Sequence, residues 1–271
     1  MNTIRLRASV VSYLNAVPLV WGLQHGPRQG LFDLDFLLPS QCSDALRDGR
    51  VQAAILPSIE YQRIDGLKIV PGLSISSAGP VRSVLLISQR PVEQIRTLAL
   101  DTSSRTSACL VQILLQRRYQ VRPQLRPSAP DLSRMLGESD AALMIGDPAL
   151  ASDFPGLRVY DLADEWRMMT GLPFVFAFWV VRADAAVPAD CAAALQQCTA
   201  FAMEHLEEIA QSESRRTGLP ISLIQDYLTK NIDFSLGERN LEGLRTFFRL
   251  AHETGLTNGV KPLEFLEGSK K

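Results

Sequence analysis

Up to about residue 180 this chain alternates short apolar runs, each bounded by turn residues, with stretches of helical period. No other feature limits the fold as strongly. Strands that alternate with helices bury both faces of a mostly parallel sheet, with right-handed crossovers between neighbours. Ile4–Val11 reads as a strand and is followed by a helix from about Asn15 to Leu23. Asp33–Leu38 is a second strand, Ser40–Arg47 a short helix closed by Asp48-Gly49, and Val51–Leu56 a third strand ending at Pro57.

A second set begins near residue 80. Val81–Ser88 and Thr97–Leu100 read as strands, Thr106–Tyr119 as a helix and Ala141–Ile145 as a strand. Gly146–Ala151 starts another helix, and Phe174–Val181, reading FVFAFWVV, is the last and most apolar strand. Beyond it the pattern is helical throughout, with helices expected over Cys191–Ser212, Ile221–Thr229 and Glu238–Glu253. One arrangement accommodates both sets: a discontinuous lobe of residues 1–86 and 177–271, and an inserted lobe of residues 87–176. The strands around Ser83 and Phe178 would cross between them as a hinge. Such α/β chains bind small ligands in the cleft between lobes. The competing arrangement is one large sheet with a helical appendage.

Composition narrows the function classes. At 271 residues the chain exceeds the roughly 100–200 usual for one domain, which favours two lobes. With 46 % hydrophobic and 21 % charged residues it is too apolar for disorder. The 28 basic and 29 acidic residues give a net charge of −1, without the basic excess of a nucleic-acid binder. No run of apolar residues is long enough to span a membrane. The four cysteines form no CxxC pair and have no neighbouring histidine, so reduced, packed thiols are expected rather than a zinc site or disulfides. Arg5 and Arg7 precede an apolar stretch, but Ser12, Asn15 and Pro18 interrupt it and no cleavage site follows, so a cytoplasmic protein is expected.

Side chains that usually betray an enzyme are scarce. His25, His205 and His252 lie away from every strand end, and there is no HExxH, GxSxG, Walker loop or GxGxxG. Hydroxyls and small residues instead collect where strands meet helices. Asp101-Thr102-Ser103-Ser104-Arg105-Thr106-Ser107 leaves a strand and opens a helix, where free backbone N–H groups and hydroxyls make an anion site. Capping by Ser104 or Thr106 is the plainer role. Arg105 either adds a cation or faces solvent. Asn15 either caps the first helix or faces the cleft, and Ser83 faces the cleft or bonds inside the sheet. Pro57-Ser58 and Gly146-Asp147-Pro148 occupy further strand-to-helix junctions, the ends at which open α/β sheets hold ligands. Together these residues suit a small ligand carrying carboxylates.

At these positions the sequence resembles a known family, the chorismate dehydratases of the futalosine route to menaquinone. The matching segments are SYLNAVPL (12–19), SSAGPVRSVLLIS (76–88), DTSSRTS (101–107), MIGDPAL (144–150) and EWRMMTGLPFVFAFWV (165–180), in the family's order and spread over nearly the whole chain. The resemblance implies the type II periplasmic-binding-protein fold and loss of water from chorismate to give 3-[(1-carboxyvinyl)oxy]benzoate, with no cofactor or metal. It implies Asn15 and Ser83 as the catalytic residues. Ser58, Ser104, Thr106, Ser107, Gly146 and Asp147 are the expected substrate-binding residues. The enolpyruvyl carboxylate of chorismate is expected to remove the ring proton itself. No nucleic-acid or membrane partner is expected, and the chain would act as a monomer or homodimer. Two alternatives stand beside this reading: a non-catalytic carboxylate-binding protein, and the sister 1,4-dihydroxy-6-naphthoate synthases, whose resemblance is weaker and whose activity relies on a cleft histidine.

Overall fold

A computed structural model describes residues 6–101 and 103–267; Ile4 and Arg5 of the expected first strand and Thr102 of the hydroxyl-rich turn lie outside them. The chain begins with β1 (Leu6–Val11), α1 (Val17–His25), β2 (Phe32–Leu37), α2 (Pro39–Arg47), β3 (Ala53–Pro57), α3 (Ser58–Tyr61) and β4 (Leu67–Ser77). It continues through β5 (Val84–Ser88), β6 (Thr97–Asp101), α4 (Arg105–Arg117), β7 (Gln124–Ser128), α5 (Leu132–Glu138), β8 (Ala141–Ile145), α6 (Gly146–Leu150), β9 (Arg158–Asp161) and α7 (Leu162–Thr170). The rest comprises β10 (Phe174–Arg182), α8 (Cys191–Glu204), α9 (Leu206–Thr217), α10 (Ile221–Asp226), β11 (Asp233–Leu236) and α11 (Glu238–Glu253).

Two sheets result, not one. The first runs β11-β4-β10-β3-β1-β2 and the second β7-β6-β8-β5-β9. Both are mixed rather than mostly parallel. β1 is parallel to β2 and β3, but β10 lies antiparallel between β3 and β4, and β5 is antiparallel to β8 and β9. β10 is buried along nearly its whole length, because it is a central strand flanked on both edges and packed on both faces. A continuous apolar run is what such a position requires.

Several elements depart from the sequence reading. β4 is the longest strand, yet its Pro71-Gly72 reads as a turn. The register explains this: Phe178 pairs with Ser74 and Val180 with Ile69, so β4 bulges past β10 and carries Pro71-Gly72 outside the ladder. β11 has four residues and pairs with the bulged strand; so short a run between helices carries no period. The long helix expected over 191–212 breaks at His205, and α10 runs into a single π-helical turn, Tyr227–Asn231.

The crossings also fall elsewhere. All five residues of β5 pair in the second sheet and all of β10 belongs to the first, so cuts at 86/87 and 176/177 would divide both strands. Phe178 sits mid-strand between Leu56 and Ser74 and does not cross. The chain passes between sheets at residues 78–83 and again through α7 to residue 173. One carboxylate joins these two passages. Asp161 caps α7 by accepting from the Ala163 and Asp164 N–H groups, and it also accepts from Val81 N–H (3.0 Å) and Arg82 N–H (2.6 Å). Burial pushes this carboxyl up, and the four N–H bonds oppose the rise.

The helices that follow β10 complete the first lobe. α11 buries Leu244, Phe247, Phe248 and Ala251 in the core, so its apolar stripe serves packing. The four cysteines are buried free thiols. α8 crosses α1 so closely that a Cβ on Gly22 would lie 2.5 Å from the Cys198 Cα. Gly22→Ala must push the two helices apart. It is expected to destabilise the protein by about 1–3 kcal/mol, read as a lowered thermal-unfolding midpoint; an unchanged midpoint would show that the contact is soft.

Candidate functional site

The two sheets face each other across a narrow, partly open cavity. From the first lobe Val11 at the end of β1, Tyr13 and Asn15 in the following turn, Pro57 at the end of β3, Ile75, Phe176 and Ala177 line it. From the second, Val84, Ile145 and Gly146 meet Ser104, Thr106 and Ser107 at the start of α4. The ends of β1, β3 and β8 therefore converge on one space, as ligand sites in open α/β sheets do. Apolar surface surrounds a few polar atoms, the usual composition of a small-ligand pocket.

Five of the expected residues form the wall: Asn15, Ser104, Thr106, Ser107 and Gly146. Asn15 is not a helix cap. It sits in a 3-10 turn, Leu14–Ala16, and α1 is preceded by Ala16 with no side-chain cap bond. Its Oδ1 is buried without a hydrogen-bond partner, an acceptor left for whatever fills the cavity. Ser104 does cap α4, accepting from the Ser107 N–H at 3.4 Å. Thr106 Oγ1 accepts from the Ile59 N–H across the cleft at 3.2 Å. The N-terminal end of this thirteen-residue helix thus opens on the cavity, and its dipole favours an anion there.

Three expected residues are placed otherwise. Ser58 is wholly buried and donates to the Val175 carbonyl (2.8 Å), so Pro57 takes its place in the lining. Ser83 Oγ lies 2.7 Å from the Tyr227 hydroxyl, behind the cavity wall. Asp147 accepts from the Leu14 N–H (2.9 Å) and pairs with Arg216 (3.0 Å), spending its carboxylate on the link between lobes. Gly146 beside it has φ +70°, and an added Cβ would stand 2.9 Å from the Tyr13 ring. Only glycine allows both the left-handed backbone and that ring.

Arg105 lies outside the cavity lining and stays partly exposed. It bonds Glu60 (2.8 Å) and Asp44 (3.0 Å) across the cleft. Glu60 is wholly buried and also receives Arg47 (2.8 Å) and Arg63 (2.9 Å). The lining contains no histidine; His25 packs at a tilt against Trp21 and His205 stacks on Phe201. Among the described residues no three His, Cys, Asp or Glu side chains come together in a way that could hold a metal ion, and no helix is long and apolar enough to cross a membrane.

Tyr13 is the wall residue that sequence reading passed over, although it stands inside the SYLN segment. Burial pushes its phenol up, the Ser103 hydroxyl opposes this, and the negative charges of Asp101 and Asp147 add to it. Asp101 lies beneath, buried, with Oδ1 accepting from the Ser103 N–H at 2.8 Å and Oδ2 unpartnered.

Comparison with known structures fixes the class. A crystal structure of a protein from Archaeoglobus fulgidus superposes with a TM-score of 0.76 at 16 % identity, covering 94 % of this chain and all of that one. The periplasmic aliphatic sulphonate binding protein of Escherichia coli superposes with a TM-score of 0.64 at 15 % identity, covering 98 % and 95 %. The fold is therefore that of the periplasmic binding proteins. Residues 6–253 match the menaquinone biosynthesis family, and the chain belongs to it. It is 30 % identical to the chorismate dehydratase of Thermus thermophilus over 253 residues, 87 % of this chain and 91 % of that protein. It is 29 % identical to the chorismate dehydratase of Campylobacter jejuni over 176 residues, 62 % and 63 % of the two.

Burial holds the Asp101 carboxyl above its ordinary range, against the nearby Ser103 hydroxyl and the bond from the Ser103 N–H. Above that raised value the folded state carries a charge the unfolded chain accommodates more easily, so stability is lost there. At pH values below the ordinary carboxylate range both states are protonated and the penalty vanishes. Asp101→Asn keeps an acceptor for the Ser103 N–H. Its unfolding midpoint is expected to exceed wild type at pH 8 and to match it near pH 3; equal shifts at both pH values would contradict the burial argument.

Proposed function

We propose that this protein is a hydro-lyase that converts chorismate to 3-[(1-carboxyvinyl)oxy]benzoate and water. The observation that carries the reading is the convergence, on one largely apolar cavity, of a helix N-terminus, a row of hydroxyls and an unpartnered buried amide oxygen. Its membership in a menaquinone biosynthesis family with curated chorismate dehydratases as relatives supports the same substrate.

The chemistry asks little of the side chains. The C3–H bond breaks, its electron pair forms the C3–C4 double bond, and the C4–O bond breaks to release hydroxide. The ring becomes aromatic, so the driving force is large. The ring carboxylate is conjugated through a double bond to C3, and charge developing there spreads toward it. The Ser104–Ser107 end of α4 receives that carboxylate and stabilises the charge. The enolpyruvyl carboxylate hangs from C3 and takes the proton, which leaves with the hydroxide as water. No histidine is needed, in keeping with a lining that has none.

Asn15 accepts from the C4 hydroxyl and sets its direction, Phe176 and the aliphatic wall exclude water, and Gly146 lets Tyr13 close the cavity. Asp147 and Arg105 act at a distance by holding the two strand ends together. Since the relatives are biosynthetic enzymes, the reading places the protein in the cytoplasm.

Incubation of the purified protein with chorismate is expected to raise an aromatic ultraviolet band with equimolar product. Binding of chorismate without turnover would favour a solute-binding role, and chorismate neither bound nor consumed would favour the naphthoate synthase chemistry. Asn15→Ala is expected to lower kcat about 100-fold while changing product affinity less than about threefold. A near-normal kcat would remove Asn15 from the mechanism.

A further inference from the structure

Ser83 is buried behind the cavity wall, and a side chain from far along the chain meets it there. The Tyr227 hydroxyl is 2.7 Å from Ser83 Oγ, in a site that is 1 % exposed for both residues. Burial pushes this phenol up, and the Ser83 hydroxyl opposes the rise most. A ring buried for packing alone would be served by phenylalanine. A hydroxyl taken out of water costs stability unless it is bonded, so its presence here calls for a use.

The backbone that presents Tyr227 is itself unusual. Tyr227 opens the π-turn that follows α10, and such turns recur at functional sites because they re-aim a side chain that a regular helix would direct elsewhere. The last residue of that turn, Asn231, donates to the Pro80 carbonyl at 2.9 Å. One π-turn therefore grips the crossing segment 78–83 at Pro80 and at Ser83. Ser83 in turn stands between two wall positions: Val84 follows it, and its carbonyl accepts from the Gly146 N–H at 2.8 Å.

We propose that Tyr227 is a positioning residue for the dehydration, its hydroxyl holding Ser83, and through the Ser83 carbonyl the Gly146 backbone, in one fixed arrangement behind the cavity wall. This rests on the chorismate reading. A phenol is a stronger acid than an aliphatic alcohol, so Tyr227 donates to Ser83 Oγ, and the bonded pair fixes the strand start whose carbonyl holds Gly146 and whose next residue, Val84, is in the wall. No proton changes owner at either residue. The water that leaves is assembled from the C4 hydroxide and the C3 proton carried by the substrate's own carboxylate.

The test compares wild type, Tyr227→Phe, Ser83→Ala and the double variant in the chorismate assay, with thermal unfolding of each. Tyr227→Phe is expected to lower kcat about tenfold with KM changed less than about twofold, since only orientation is lost. The double variant should be no slower than the slower single one, because both remove the same hydrogen bond. A Tyr227→Phe enzyme with wild-type kcat, whatever its unfolding midpoint, or losses that multiply in the double variant, overturns the proposal. Should Tyr227→Phe not fold, Ser83→Thr decides: it keeps a hydroxyl for Tyr227 to hold, and it should retain most of the kcat that Ser83→Ala loses. Equal rates for those two variants overturn the proposal as well. Failure of the wild-type protein to form product overturns the chorismate reading itself, and this inference with it.

Discussion

The contact on which the site depends is made at one strand end: the Leu14 N–H of the first lobe donates to the Asp147 carboxylate of the second. That bond sets the turn after β1 against the turn after β8. With it come the Tyr13 ring over Gly146 and the placing of Asn15 in the cavity wall. Arg216, from α9, occupies the other carboxylate oxygen, so Asp147 binds two elements of the first lobe at once. A charge-assisted bond to a backbone N–H is directional as well as strong, and direction is what a substrate-orienting site requires.

A second fastening acts on the opposite wall. Glu60 is buried and meets three guanidinium groups, of which Arg105 comes from the second lobe. Such a carboxylate depends on its partners, since one left without them would be an uncompensated buried charge. Arg105 stands in the first turn of α4, next to Thr106, whose hydroxyl receives the Ile59 N–H. The N-terminal end of α4 is thereby fixed relative to β3 and α3. An anion held at that helix end is consequently held in register with Asn15, which the Asp147 contact places.

Polar atoms in this cleft are divided between fastening and catalysis. Charged side chains do the fastening and stay out of the lining; the wall itself is built of hydroxyls, one amide, helix N–H groups and apolar surface. In the proposed reaction that division has a use. A dianionic substrate paired with fixed lysine or arginine charges would be bound tightly before the chemistry. Helix ends and hydroxyls in a low-dielectric pocket instead favour the form in which charge has moved onto the ring carboxylate. The near-neutral charge of the chain is compatible with this, since no basic surplus is needed.

Sequence pattern alone determined the parts that local chemistry dictates. Apolar runs with turn residues at their ends marked β1, β2, β3, β5, β6, β8 and β10, and α11 was legible to the residue from its apolar spacing. The clustering of hydroxyls, glycine and one amide at strand ends marked five residues of the cavity wall. Tertiary structure alone decided the rest. β4 was hidden because Pro71-Gly72 obeys turn rules locally and becomes a bulge only when β10 and β11 pair beside it. Whether Ser58, Ser83 and Asp147 face a ligand or the protein depends on acceptors and donors contributed by distant segments: Val175, Tyr227, and Leu14 with Arg216. Tyr227 gave no signal at all, since a π-turn has no period of its own and its hydroxyl's partner, Ser83, arrives from elsewhere in the chain. Periodicity reports which face of an element is buried; it carries no information about which polar group, brought in by folding, will be waiting there.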